Sequence, residues 1–373
     1  MTESFHLATG HKAGPPLHAV SPPDFSRAPL TLAWELTRAC PLRCVHCRAE
    51  AQPRRNPDEL TTDEGRALLD DAAAMGTKVV VLTGGDPLAR PDVFDLLAHA
   101  ASTGVHVGFS PSVTGRLRSG ALARAVDAGA GTIHLSLDGA SAATHDGFRG
   151  IRGHFERTLE AIRTAASLDV RLQIGTTVSR RTVAELPAMV ELLDGLVSTW
   201  TLFFLVPTGR ALADDLVEPE VEESVLDWLA TSEFPFQVRT VEAPQLRRVR
   251  AQQGRHVLPG VTDGNGFCFV SHVGDVQPSG FLPLTVGNVR DRPVSWWYRE
   301  APLFVDLRDQ ARRAGVCGRC PFLGVCGGSR ARAWAATGDP LAGDPSCAFG
   351  KALATTTAWA ATSTASAAAL TGR

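Results

Sequence analysis

Apolar runs that predict strands alternate with amphipathic stretches that predict helices from Leu30 to Val206. The predicted strands cover 30–36, 79–82, 105–110, 132–137, 171–178 and 201–206, and the predicted helices cover 62–74, 91–102, 117–128, 154–167 and 183–196. Right-handed crossovers between such strands build a parallel sheet. Six units are two fewer than a closed eight-stranded barrel needs, so we expect an α/β fold with a partial (β/α)6 TIM-like barrel.

The composition divides the chain into five parts. Residues 1–27 are rich in Pro, Gly and His without periodicity, which predicts a flexible arm. The barrel is expected over 28–215, and a mixed acidic and basic helical pattern predicts a bridging segment over 216–260. Short strands with glycine turns predict a smaller α+β domain over 261–350. The Ala/Thr-rich tail, 351–373, is predicted to be a helix of modest stability or disordered.

Charge and hydropathy exclude two classes of function. The formal net charge is −2 at pH 7, which provides no field that would attract a nucleic acid. No run of 18 strongly apolar residues occurs, and the N-terminus lacks the features of a signal peptide. We therefore expect a cytoplasmic protein that binds neither nucleic acid nor membrane.

Seven of the eight cysteines fall into two groups that predict two metal sites. A cytoplasmic chain keeps its thiols reduced, so disulfides are not expected. Cys268 stands apart from both groups. It is interpreted as a buried hydrophobic thiol, a remnant metal ligand or a functional thiol near a substrate.

The first group, Cys40, Cys44 and Cys47, has CxxxCxxC spacing directly after the first predicted strand. Three thiolates can hold three irons of a 4Fe-4S cluster and leave the fourth iron open to a small molecule. Zinc is the alternative, with His46 as a fourth ligand, but ligation of one ion by adjacent residues is strained.

This loop resembles that of the radical S-adenosyl-L-methionine (radical SAM) superfamily, and His46 stands at the family's aromatic position. The resemblance implies that the three cysteines ligate the cluster and that the amine and carboxylate of SAM chelate its open iron. The turn after the second predicted strand resembles the family's GGEP-like motif, which approaches the methionine amine. Its residues are Gly84, Gly85, Asp86 and Pro87.

Two further strand ends resemble nucleoside contacts of the same superfamily. Ser136 and Asp138 fall in a SerLeuAspGly segment like the one that contacts the ribose, although an ordinary Asp-Gly turn is the alternative. Thr176, Thr177 and Val206 occupy the ends of the fifth and sixth predicted strands. The resemblance implies nucleoside contacts there.

The second cysteine group resembles the auxiliary-cluster motif of SPASM domains, which implies a second 4Fe-4S cluster without an open iron. Its members are Cys317, Cys320, Cys326 and Cys347, a spacing that also suits a zinc ribbon. Ser279 and Ser329 stand where cysteine is common in two-cluster relatives, so one auxiliary cluster is expected. The surrounding sequence is most similar to SPASM enzymes that modify haem precursors.

The resemblance implies an oxidoreductase that cleaves SAM reductively and uses the 5′-deoxyadenosyl radical to take hydrogen from a tetrapyrrole or peptide. Oxidative decarboxylation or cross-linking would follow, with the auxiliary cluster as electron acceptor and a flavodoxin- or ferredoxin-like donor. Tetrapyrrole carboxylates would need partners such as Arg149, Arg210 or Arg330. The alternatives are radical chemistry on a small secondary metabolite and a zinc-binding interaction protein.

Overall fold

The computed structural model describes residues 24–118 and 120–354. Positions 1–23 of the predicted arm and positions 355–373 of the predicted tail lie outside the described residues.

An open parallel sheet forms the centre of the molecule. Seven parallel strands follow one another in chain order: β1 (Thr31–Glu35), β2 (Val79–Thr83), β3 (His106–Phe109), β4 (Thr132–Ser136), β5 (Arg171–Val178), β6 (Thr199–Phe204) and β7 (Gln237–Val241). The register places Leu32 of β1 opposite Val80 of β2. The predicted partial barrel is confirmed, and the sheet does not close.

Helices cover the sheet between successive strands: α1 (Thr62–Met75), α2 (Val93–Ser102), α3 (Ala121–Asp127), α4 (Ala142–Arg149), α5 (His154–Ala166), α6 (Leu186–Leu193), α7 (Pro219–Thr231) and α8 (Gln245–Gln252). Local sequence sets the ends of α1, where Thr61 and Glu64 form a capping box and Gly76 closes the helix at φ 103°. Apolar side chains of the strands and helices, among them Leu32, Trp34 and Leu69, form one buried core.

The C-terminal segment extends the same sheet beyond β1. Its elements are β8 (Thr262–Asp263), β9 (Gly266–Val270), β10 (Asp275–Gln277), β11 (Gly287–Asn288), α9 (Val294–Glu300), α10 (Pro302–Arg308), α11 (Gly315–Gly318) and α12 (Arg330–Thr337). Strand β9 pairs in parallel with β1, and β10 and β11 continue antiparallel. The cysteine loop after β1 therefore lies between the barrel strands and the C-terminal segment.

A second apolar cluster joins the two parts at the carboxyl ends of the strands. Val206, which follows β6, packs with Leu282, Leu307 and Ala331 of the C-terminal segment. Burial of these side chains holds the segment over the edge where the functional residues of such folds lie. Within the described residues, no helix is long and apolar enough to cross a membrane.

Candidate active site

A buried carboxylate fastens the first cysteine loop to the sheet. Glu35, the last residue of β1, accepts hydrogen bonds from Arg48 Nη1 at 3.0 Å and Arg38 Nε at 2.9 Å. His272 Nδ1 lies 3.1 Å from the same carboxylate. Burial alone would raise the pKa of Glu35, but the nearby Arg48 guanidinium and the other partners lower it to about 2. Glu35 therefore stays ionised and holds both ends of the loop.

The thiols of Cys40, Cys44 and Cys47 all line one cavity at the mouth of the barrel. Burial raises the pKa of Cys40 to about 11 and also raises that of Cys44, so these two thiols are protonated at neutral pH when they bind no metal. Iron must displace these protons, because the thiolate is the ligand. Three cysteines, and no fourth among the described lining residues, fit a cluster with one open iron.

Within the described residues, these side chains do not form a site for a single metal ion. Among the residues that the structure describes, no three His, Cys, Asp or Glu side chains are close enough to hold one metal ion. Each thiolate of an iron-sulfur cluster binds a different iron and needs no common point of contact.

The two-glycine turn after β2 packs directly against the cysteine loop. Gly84 has φ 151°, and a Cβ there would lie 2.5 Å from the carbonyl oxygen of Thr37. A Cβ on Gly85 would lie 2.8 Å from the carbonyl oxygen of Ala39. The Gly85 backbone N–H donates to the Thr37 carbonyl at 2.6 Å. Only glycine allows this approach, which brings both residues to the cavity wall.

Asp86 and Pro87 lie behind the glycines and shape the turn. Asp86 is fully buried, and its carboxylate accepts hydrogen bonds from Thr114 Oγ1 at 2.7 Å and from the Leu88 backbone N–H at 3.2 Å. Burial raises the pKa of this carboxyl. Neither Asp86 nor Pro87 is among the described residues that line the cavity, so their contact with SAM stays a prediction.

A buried ion pair connects the end of β4 to the cysteine loop. Asp138 lines the cavity, accepts from the Thr177 backbone N–H at 2.7 Å and pairs with Arg149 at the end of α4. Burial would raise the pKa of Asp138, but the Arg149 guanidinium outweighs it and lowers that pKa to about 2. Arg149 Nη1 also donates to Cys44 Sγ at 3.7 Å. The carboxylate thus keeps a positive charge beside a cluster thiol.

His46 lies at the cavity wall with its ring stacked on Phe148. The ring centroids are 4.1 Å apart and the planes are inclined by 15°. Burial lowers the pKa of His46 to about 4, so the imidazole is neutral at physiological pH. A neutral ring stacked on an aromatic side chain presents a flat surface to the cavity.

The remaining nucleoside-contact candidates divide between the cavity and the core. Ser136, Thr177 and Val206 line the cavity. Thr176 points away from it, because its hydroxyl donates to the Leu137 carbonyl at 2.7 Å and accepts from Trp200 Nε1 at 2.8 Å. Contact of the first three with SAM remains a prediction.

Several lining residues were not expected from the sequence, and Ser112 and Phe281 are two of them. Ser112 Oγ donates to the Gly85 carbonyl at 2.6 Å and lies 3.8 Å from Cys40 Sγ. Its place just beyond the end of β3 was the one available signal. Phe281 comes from the C-terminal segment, and nothing in its local sequence predicts that it closes the mouth of the barrel.

The second cysteine group surrounds its own small cavity in the C-terminal segment, lined by Cys317, Cys320, Cys326 and Cys347. N–H groups point at two of these sulfurs: the Asp344 backbone N–H lies 3.3 Å from Cys317 Sγ, and the Gly350 backbone N–H lies 3.3 Å from Cys347 Sγ. Arg330 Nη2 lies 3.7 Å from Cys317 Sγ. This donor set and its N–H groups fit four thiolates on one cluster.

Ser279, Ser329 and Cys268, which the sequence analysis considered beside the cysteine groups, have the following surroundings. Ser279 Oγ accepts from the Leu282 backbone N–H at 3.1 Å. Ser329 Oγ caps α12 through the Arg332 backbone N–H at 3.1 Å and donates to Glu242. Cys268 is fully buried in the main core on β9, which agrees with the interpretation of a hydrophobic thiol.

Comparison with known proteins identifies the family of this chain. Residues 34–193 match the radical SAM superfamily. The AdoMet-dependent heme synthase of Methanosarcina barkeri is 38% identical over 348 residues, which covers 87% of this chain and 97% of that protein. The mycofactocin maturase MftC of Mycobacterium ulcerans is 32% identical, covering 87% of this chain and 89% of that protein.

The fold has solved counterparts as well. The crystal structure of Streptococcus suis SuiB bound to its precursor peptide SuiA superposes with a TM-score of 0.70 and covers 86% of this chain and 76% of that one. At 16% identity this similarity shows the fold alone. The predicted superfamily and its enzymatic nature are confirmed by the sequence relatives, whose similarity spans most of both chains. The chain therefore belongs to the radical SAM superfamily of enzymes, which use SAM and a 4Fe-4S cluster.

Proposed function

We propose that this enzyme oxidatively decarboxylates carboxylate side chains of a tetrapyrrole. The observation that carries the proposal is the 38% identity to an AdoMet-dependent heme synthase over 97% of that protein's length. An Fe-coproporphyrin III synthase of the same organism, 31% identical over 85% of this chain, supports the same substrate class. The aromatic and arginine side chains in the cavity suit a flat ring that bears carboxylates.

The residues that would hold the cofactors are Cys40, Cys44 and Cys47 for the first cluster and the cavity lining for SAM. We assign the SAM contacts to Gly84, Gly85, His46, Ser136, Asp138, Thr177 and Val206. When bound, the first cluster and SAM would together supply a 5′-deoxyadenosyl radical that takes one hydrogen atom from a propionate side chain. Loss of CO₂ and one electron from that side chain would then leave a vinyl group.

The chain's own part is to position the substrate and exclude solvent. Phe203 and Phe281, with ring centroids 6.3 Å apart, provide apolar walls from β6 and from the C-terminal segment. Apolar walls keep water away from a reactive carbon and hold one C–H bond at a fixed place. Neutral His46 adds a flat surface without adding charge.

The second cysteine group is proposed to hold one auxiliary 4Fe-4S cluster that accepts the electron. Four cysteines around one cavity leave no open iron, which favours electron transfer over substrate binding. Hydrogen bonds from Asp344 and Gly350 to the sulfurs stabilise thiolates and tune the potential. A flavodoxin- or ferredoxin-like protein is the proposed donor to the first cluster.

Anaerobic reconstitution with iron and sulfide tests this proposal. We expect about eight irons per chain, as two four-iron clusters require, and dithionite-dependent 5′-deoxyadenosine formation from SAM. With iron coproporphyrin III, mass spectrometry is expected to detect products that have lost CO₂ and two hydrogens. Cleavage of SAM without any such product would contradict the substrate assignment.

Cysteine variants separate the two clusters. C44A is expected to abolish SAM cleavage. The double variant C320A/C326A is expected to retain four irons per chain and SAM cleavage but to form no vinyl product. Product formation at the normal rate by C320A/C326A would refute the electron-acceptor role.

Cross-linking of a peptide is the second candidate function, because the mycofactocin maturase is 32% identical over 89% of its length. Incubation with a candidate precursor peptide distinguishes the two functions. Loss of hydrogen from the peptide, with an unchanged porphyrin, would favour this alternative.

A further inference from the structure

Arg210 presents a buried guanidinium edge that no described residue pairs. Its side chain lines the same cavity as the three cysteines. The Nε and Nη2 atoms are buried and have no hydrogen-bond partner among the described residues. These two nitrogens form one edge of the guanidinium, whose parallel N–H bonds match the two oxygens of a carboxylate.

The backbone holds Arg210 in place against the cysteine loop. The Arg210 backbone N–H donates to the Cys47 carbonyl at 3.1 Å. Gly209 has φ 61°, and a Cβ there would lie 2.5 Å from the carbonyl oxygens of Cys47 and Arg48. The backbone of the turn after β6 is therefore fixed to the loop, which places the Arg210 side chain at the cavity.

The other arginines of the cavity already have anionic partners. Arg149 pairs with Asp138, and Arg48 Nη1 donates to Glu35 at 3.0 Å. Among the described lining residues, Arg210 is the one arginine without an anion. Arg210 is half-buried, but its Nε–H and Nη2–H groups are buried without an acceptor among the described residues, which is unfavourable, so the edge suits an anion that accepts from both.

We propose that Arg210 binds a carboxylate of the substrate in a bidentate manner, an inference that rests on the proposed tetrapyrrole function. Arg210 follows β6 and lines the same cavity as Phe203 and Phe281, whose ring centroids are 6.3 Å apart. Apolar aromatic side chains beside a guanidinium edge that can bind a carboxylate suit an aromatic macrocycle with carboxylate side chains. The carboxylate of SAM has the same chemistry, so the experiment must distinguish the two sources.

Binding titrations with the reconstituted full chain test the proposal without turnover. Iron coproporphyrin III and its tetramethyl ester are titrated by visible absorbance into wild type, R210Q and R210K, and labelled SAM is titrated by equilibrium dialysis. Arg152 is exposed, so R152Q is the matched control for loss of one positive charge. Thermal unfolding verifies that each variant folds. If R210Q does not fold, R210K is used in its place for the binding titrations.

We expect R210Q to weaken binding of the acid by about 10- to 100-fold, the effect of losing hydrogen bonds to a charged group. Binding of the ester and of SAM should change by less than about 3-fold, and R210K should lie between wild type and R210Q because it keeps the charge and loses the fork.

Two results would overturn the proposal in different ways. Normal binding of the acid by R210Q, with or without weaker SAM binding, overturns the role of Arg210 and leaves the proposed function standing. Failure of the wild-type enzyme to bind the porphyrin acid overturns the tetrapyrrole function and the Arg210 proposal together.

Discussion

Replacement of Asp138 by Asn removes a buried charge and keeps the size of the side chain. In the native protein, Asp138 is 1% exposed and pairs with Arg149, whose side chain is 12% exposed. D138N would leave that guanidinium buried without its anion. The variant therefore tests whether this ion pair holds the end of β4 against the cysteine loop.

Two estimates bound the effect on the free energy of unfolding. The pKa of Asp138 falls from 3.8 to about 2, which corresponds to roughly 2 kcal/mol of stabilisation of the ionised form. Loss of one partner of a buried pair costs about 3–5 kcal/mol, because the other charge stays buried. We expect D138N to lower the unfolding free energy by about 2–5 kcal/mol.

Guanidinium chloride unfolding of the anaerobic protein, followed by tryptophan fluorescence, measures this change. The matched control is D70N, since Asp70 is 58% exposed and pairs with His99 at 2.7 Å. An exposed pair contributes less than about 1 kcal/mol. The double variant D138N/R149M should recover part of the loss, because it removes the unpaired charge as well.

The pH dependence gives an independent check with a defined sign. A lowered folded-state pKa stabilises the protein above the unfolded value of 3.8, and that stabilisation is lost as the pH falls toward about 2. The difference between wild type and D138N should therefore be full at pH 7 and shrink below pH 4. A D138N effect no larger than that of D70N, or one independent of pH, would refute the reasoning.

Three further substitutions have expected outcomes. G209A should reduce the iron bound per chain, because its Cβ would lie 2.5 Å from two carbonyl oxygens of the cysteine loop. The control is G195A, which has a similar φ of 69° and, apart from its chain neighbours, no atom of the described residues within 4 Å of the added Cβ, and it should bind iron normally. R332M should lower the unfolding free energy by about 3–5 kcal/mol in denaturant titrations, because it leaves Glu222 unpaired and buried; a loss below about 1 kcal/mol would contradict this. C268A should keep the full iron content and lose only stability, since this thiol lies in the core, and a loss of iron would show that it is a ligand.

Local sequence was sufficient to predict those elements whose apolar residues follow a clear run or period. The strands from β1 to β6 were predicted because their apolar runs are long enough to be buried on both faces. Strand β7 was not predicted within the bridging segment. It lies at the edge of the sheet with Gln237 and Arg239 exposed, so it carries no apolar run. Helix α4 was also not predicted, because it is short and polar and so has too few apolar residues to show a helical period.

The sequence by itself determined the superfamily, the two cysteine groups and the strand ends that carry the glycine turn and Asp138, because these depend on short spacings along the chain. Only the tertiary structure decided which side chains meet. It pairs Asp138 with Arg149, turns Thr176 into the core and brings Phe281 to the barrel mouth. It also leaves one edge of the Arg210 guanidinium without a partner among the described residues. Such contacts depend on how distant segments pack, and no local pattern encodes the partner of a buried charge.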